Sequence, residues 1–194
     1  MPDPRYASLD VGSNTIRLLI VEWAGEKKIR PLRVERRITR LGGDFSKEKG
    51  LDASAMDRTL KALQSFSALL RAYQVQFVFA AATGVLREAK NRRAFLREVL
   101  QRTGFSLRIL SGREEAHLML RGVLGSLKGL NPCLFVVDVG GWSTEIIWVE
   151  NGVARKTASL GLGTVELCEK FLKSDPPRAL EMKKLEQRVE GILC

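Results

Sequence analysis

Leu9-Asp-Val-Gly-Ser-Asn-Thr15 and Val137-Asp-Val-Gly-Gly-Trp-Ser-Thr-Glu145 each run an apolar strand into an acidic residue and then into a glycine-containing, hydroxyl-bearing turn. An Asp closing a buried strand is placed to hold a metal or a water. The glycine after it lets backbone N–H groups close on a phosphate oxygen. The stretches read as two copies of one device, and two such turns facing each other would grip one polyanion.

The segments around the first copy alternate in period. Tyr6 to Asp10, Ile16 to Glu22 and Ile29 to Ile38 read as strands of an antiparallel meander, with Gly25 turning the chain between the last two. Asp52 or Ser54 is placed to cap a helix whose apolar positions Leu60, Leu63, Phe66, Leu69 and Leu70 recur at helical spacing. A buried strand over Val75 to Ala82 follows, then a helix opened by Asn91 and closed near Gly104, a strand over Ser106 to Leu110, and a helix capped by Ser111. Strands alternating with helices predict an α/β fold with parallel crossovers, filling residues 1–125 as a first lobe.

After turn residues at Gly125, Gly129, Asn131 and Pro132 the pattern starts again. Strands over Cys133 to Val139, Thr144 to Val149 and Val153 to Leu160 are joined by the glycine turn and by Asn151-Gly152. Helices are expected over Thr164 to Leu172 and Arg178 to Leu193, the second amphipathic. Residues 126–194 thus begin a second lobe without completing it. Self-association, as a homodimer, is one way to cover its exposed sheet edge and apolar helix faces, while the Arg178 to Leu193 helix is expected to pack on its own sheet rather than serve as a partner helix.

Composition limits the function classes. A chain of 194 residues with 45% hydrophobic content is long enough for packed cores. The apolar run Ile16 to Val21 is too short to cross a bilayer and lacks a cleavage pattern, so a soluble, cytoplasmic protein without a membrane partner is expected. Cys133, Cys168 and Cys194 are odd in number and far apart, which argues against a disulfide framework or a zinc site. The formal charge of +10 favours a polyanionic partner. Lys27, Lys28, Arg30, Arg33, Arg36, Arg37 and Arg40 concentrate that charge. They read either as the solvated face and edge of a strand or as a nucleic-acid patch. No aromatic series interleaves them, so nucleic acid ranks last among the partners.

Five segments in order resemble the exopolyphosphatase/guanosine pentaphosphate phosphatase (Ppx/GppA) family of the actin-like ATPase superfamily, whose fold is ribonuclease H-like. They are Asp10 to Arg17, Ala82-Thr-Gly-Val-Leu-Arg-Glu-Ala89, Leu110-Ser-Gly-Arg-Glu-Glu-Ala116, Asp138 to Glu145 and Leu160-Gly-Leu-Gly-Thr-Val165. The resemblance implies a mixed five-stranded sheet flanked by helices in the first lobe. It also implies a bacterial phosphoanhydride hydrolase that removes terminal phosphate from inorganic polyphosphate or guanosine pentaphosphate with Mg2+ or another divalent cation. Glu115 matches the family's catalytic glutamate and is assigned the general base, while Glu114 fits a capping box with Ser111. Gly12, Ser13, Asn14 and Thr15, with Gly140, Gly141, Ser143 and Thr144, are the phosphate-binding candidates. Arg87 is a further phosphate ligand or the partner of an acid such as Glu88. Asp10, Asp138 and Glu145 are the metal candidates; an Asx-type turn cap is the alternative for either Asp. Arg17 sits at a strand position that fits a solvated face.

Three departures qualify the resemblance. Trp142 stands where the family has a third glycine, Arg113 and Glu166 replace common residue types, and the chain is shorter than family members, as a fragment or a truncated product would be. They keep open a module that binds polyphosphate or guanosine pentaphosphate without turnover, and the superfamily's shared phosphate turns also admit a kinase.

Overall fold

The computed structural model describes residues 3–25, 29–127, 129 and 131–194; Lys27 and Lys28 of the basic run lie outside the described residues. The chain divides into two compact units, residues 1–109 and 110–194.

In the first unit β1 (Arg5–Val11), β2 (Thr15–Trp23) and β3 (Ile29–Ile38) form the expected meander. α1 (Ala53–Ala72) and α2 (Arg92–Thr103) link it to β4 (Phe77–Ala82) and β5 (Arg108–Ile109). The sheet order is β3-β2-β1-β4-β5, with β4 and β5 parallel to β1. Period-2 alternation puts Leu9, Val11, Ile16, Leu18 and Ile20 in the core, where Leu60, Leu63 and Phe66 of α1 and Phe95 and Val99 of α2 are also buried. A side chain such as Phe66, with no exposed surface, contributes about 1.5–3 kcal/mol by leaving water.

Local chemistry fixes the helix ends. Asp52, rather than Ser54, is the N-cap of α1 and accepts from Ala55 N. Gly104 closes α2 in the left-handed conformation, at φ 78°. Asn91 precedes α2 without capping it; its side chain bonds the backbone N and O of Leu51 instead.

Two strand expectations need correction. The Val75 to Ala82 strand is buried only at Ala80, Ala81 and Ala82, whereas Phe77, Val78 and Phe79 are exposed. The strand expected over Ser106 to Leu110 is confined to Arg108–Ile109, which pair with Ala81 and Ala82 of β4.

The second unit carries α3 (Gly112–Ser126), β6 (Cys133–Val139), β7 (Thr144–Glu150), β8 (Val153–Leu160), α4 (Thr164–Phe171) and α5 (Ala179–Leu193). Its sheet runs β6-β7-β8, antiparallel throughout. Asn151 and Gly152, at φ 50° and 74°, make the tight hairpin between β7 and β8.

Helix α3, grouped by sequence with the first lobe, belongs by packing to this unit. Its Ala116 and Leu120 join Val136, Ile147 and Val149 in one apolar cluster, so the boundary falls near residue 110 rather than 125. β6 is not the fully buried strand that its composition suggests. Only Val136 is buried, while Phe135, Val137 and Val139 are exposed on the face away from α3. No helix among the described residues is long and apolar enough to cross a membrane.

Candidate functional site

Both glycine turns close hairpins in the same way. In the first, Val11 pairs with Ile16, and Gly12 N donates to Thr15 O at 3.1 Å. In the second, Val139 pairs with Thr144, and Gly140 N donates to Ser143 O at 2.9 Å. A Cβ on Gly12 would lie 3.1 Å from the Thr15 carbonyl, and one on Gly140 3.0 Å from the Ser143 carbonyl. Close approach, not positive φ, is therefore what asks for glycine at these two positions.

Each turn has two carbonyls tied back by distant backbone. Ser13 O accepts from Gly42 N, and Asn14 O accepts from Thr39 N and Arg40 N. Gly140 O accepts from Thr164 N, and Gly141 O from Val165 N and Glu166 N. In a trans peptide C=O and N–H point in opposite directions. Tying those carbonyls inward turns the N–H groups of Asn14, Thr15, Gly141 and Trp142 outward, the orientation a phosphate-binding turn requires.

The hydroxyls are used differently from the sequence expectation. Ser13 is buried, and its Oγ accepts from Val85 N at 2.8 Å, fastening the first turn to the 3-10 turn Gly84–Arg87. Arg87, half-buried, closes that 3-10 turn. Thr144 is buried too, and its Oγ1 donates to Leu162 O. Asp10 is half-buried, and Arg17 is its cross-strand partner, followed by Arg36 on β3. Arg17 is thus exposed, as expected, and on the same face as Asp10.

In the second unit the register aligns Asp138, Glu145 and Ser159 across β6, β7 and β8. Asp138 is exposed, and it does not end a buried strand, since Val136 is the one buried residue of β6. Glu145 is buried, with 1% of its surface accessible, and accepts from Ser159 Oγ at 2.8 Å. The first residue of α3, Gly112, lies against Ser159: a Cβ there would be 2.9 Å from the Ser159 Oγ.

The first turn of α3 is fixed by the anticipated capping box. Ser111 Oγ accepts from Glu114 N, and the Glu114 carboxylate accepts from Ser111 N at 2.9 Å. Glu114 is thereby committed to the cap, and half-buried Glu115 is the next residue along the helix.

Among the described residues no group of three or more His, Cys, Asp or Glu side chains is arranged to hold a metal ion. Asp138 and Glu145 are a register pair of two carboxylates. That donor set fits Mg2+, which is held by one or two carboxylates together with substrate phosphates rather than by an all-protein cage.

Trp142 does not strain the second turn. Among the described residues the non-glycine positions with positive φ are Arg40, Asp44, Gln74 and Asn151, so the backbone at Trp142 has no need of a third glycine's freedom.

Within the described part of the basic run, Arg30, Arg33 and Arg37 are engaged in ion pairs. Glu35 pairs with Arg33 and Arg37, and Glu22 pairs with Arg5 and Arg30. The hydrogen bond from Arg33 holds the Glu35 carboxyl below its usual range, and the one from Arg30 does the same for Glu22, burial opposing both.

Residues 19–194 match the Ppx/GppA phosphatase family. The chain belongs to that family. It is 35% identical over 186 residues to exopolyphosphatase 2 of Mycobacterium tuberculosis, covering 92% of this chain and 58% of the relative. It is 32% identical over 188 residues to the guanosine-5'-triphosphate,3'-diphosphate pyrophosphatase of Vibrio vulnificus, covering 97% and 37%. Among solved structures, an exopolyphosphatase from Cytophaga hutchinsonii superposes with a TM-score of 0.89 at 26% identity over 97% of this chain and 60% of the other. This member of the Ppx/GppA family therefore has the actin-like ATPase fold, with its first lobe's five-stranded mixed sheet present and its second lobe in part. It spans less than two thirds of the length of each of these relatives.

Sequence reasoning does not single out Ser159 or the 3-10 turn at Gly84–Arg87 for these contacts.

Proposed function

We propose that this chain carries the phosphate-handling groups of a phosphoanhydride hydrolase that releases terminal phosphate from inorganic polyphosphate or guanosine pentaphosphate. The observation that supports it most directly is the second turn. There, outward-facing N–H groups at Gly141 and Trp142 stand at the end of the strand pair that carries Asp138 and Glu145.

Hydrolysis of a terminal phosphoanhydride has three needs. A water must be aligned and deprotonated, charge on the phosphoryl oxygens stabilised, and the leaving chain held in line. Glu115 takes the proton from the attacking water; the new bond joins that oxygen to the terminal phosphorus, and the bond to the bridging oxygen breaks. Within each unit the turn amides are suited to phosphoryl oxygens, with Thr15 the hydroxyl candidate of the first turn and Ser143 that of the second. In the first unit Asp10, Arg17 and Arg87 supply charge beside the turn, the arginines suited to phosphate oxygens. In the second unit Asp138 and Glu145 are the residues that would hold Mg2+; in the first unit Asp10 is the candidate carboxylate beside its own turn. When bound, the cation neutralises developing phosphate charge.

The test is phosphate release from long-chain polyphosphate and from guanosine pentaphosphate, with Mg2+ and with a chelator. The expected result is steady release from at least one substrate that stops on chelation. No release from either substrate, by this chain and by a longer form matching the length of its relatives, contradicts the proposal.

A further inference from the structure

Helix α4 begins without a side-chain cap. Its N-cap residue is Gly163, which has none to offer. Its first three amides, at Thr164, Val165 and Glu166, donate to the carbonyls of Gly140 and Gly141 at 2.9, 2.9 and 3.2 Å. The Thr164 hydroxyl adds a contact to Gly140 O at 3.3 Å. The orphan donors of a helix start are thus satisfied by the second phosphate turn itself.

This seating depends on Gly163. A Cβ built there would fall 2.1 Å from Trp142 Cα, 2.2 Å from Trp142 N and 2.3 Å from Gly141 O. All three atoms are backbone, so no side-chain rotation relieves the overlap; the turn or the helix start must move. Gly161, two residues earlier, has nothing within 4 Å of its own Cβ position. The conformation of Gly163, φ −106° and ψ 142°, is open to any residue, so contact rather than backbone freedom excludes a side chain.

We infer that Gly163 is a positioning residue for the second turn. Its missing side chain lets the start of α4 grip the Gly140 and Gly141 carbonyls, and that grip aims the N–H groups of Gly141 and Trp142 at a phosphoryl oxygen. The inference rests on the phosphate-hydrolase reading above. Pre-aimed donors of this kind act chiefly on the transition state, and losing one costs on the order of 100- to 1,000-fold in kcat.

The test compares Gly163→Ala with Gly161→Ala, by phosphate release from polyphosphate and by tripolyphosphate binding. Binding is followed through Trp142 emission in a Trp23→Phe, Trp148→Phe background. Gly163→Ala is expected to lower kcat at least tenfold with a smaller change in KM and to weaken tripolyphosphate binding, whereas Gly161→Ala leaves both unchanged.

Thr164→Pro guards against a folding failure. Proline is tolerated at the first position of a helix, and the extended Gly163 suits a following proline, but the donor to Gly140 O is lost. It is expected to retain the helix by circular dichroism and to show the same kcat loss. Binding without turnover in the unaltered chain would remove the hydrolase reading and leave the positioning role readable from affinity alone. Unchanged binding in both Gly163→Ala and Thr164→Pro, or no tripolyphosphate binding by the unaltered chain, would overturn the inference.

Discussion

Ser159 on β8 donates a 2.8 Å hydrogen bond to Glu145 on β7, and a methyl group on Gly112 of α3 would sit 2.9 Å from that same serine oxygen. One hydroxyl therefore both holds a buried carboxylate and sets how closely the start of α3 approaches the sheet. Ser159→Ala is expected to cost about 1–3 kcal/mol by leaving a buried acceptor without this donor. Gly112→Ala forces the hydroxyl to turn away and breaks the same bond. Their costs should overlap in a double-mutant cycle read by urea unfolding; strict additivity would show that the two contacts are independent.

In the first unit the equivalent fastening is the bond from Val85 N to Ser13 Oγ. Ser13→Ala leaves a buried amide unpaired, a loss of about 1–3 kcal/mol. The expected local sign is faster hydrogen exchange at the Val85 amide, with the amides of α1 least affected. An unchanged Val85 exchange rate would mean that another acceptor serves it.

Acid should loosen the ion pairs that Glu22 makes with Arg5 and Arg30 and those that Glu35 makes with Arg33 and Arg37 within β3. Glu22 and Glu35 have carboxyls lowered from 4.5 in the folded chain, so each contributes stability that is present above the unfolded value and lost as pH falls through the folded one. The melting temperature is expected to decline as pH drops below about 4.5. Glu35→Gln should flatten part of that decline, and an identical profile for Glu35→Gln would assign the acid limb elsewhere.

The two strand-Asp-glycine turns and the helix caps were legible because their signals are local. Asp52, Gly104, Asn151-Gly152 and the Ser111–Glu114 box each act within a few residues. Burial of β4 and β6 was not, since apolar composition does not say whether one or both faces are covered. Ser159 shows a different limit. A two-residue turn at Asn151-Gly152, continued without interruption, would place Ala158 opposite Glu145. The irregularity between Trp148 and Val149 shifts the register by one and brings Ser159 there instead. The approach of Gly163 to Trp142 joins residues with no periodic relation, so only the folded backbone reveals it. Trp142, which stands where the family has a third glycine, is not among the positive-φ residues, so its backbone does not require one.

On the proposed reading, α3 divides its adjacent glutamates between two tasks, Glu114 for the helix start and Glu115 for the water. Glutamine can keep the capping box but cannot accept a proton as a base. The most direct measurement is kcat for phosphate release from polyphosphate by Glu114→Gln and Glu115→Gln side by side. Glu115→Gln is expected to lose about 100-fold or more while Glu114→Gln stays within about threefold of the unaltered chain. Full activity in Glu115→Gln, or the larger loss in Glu114→Gln, would contradict the assignment.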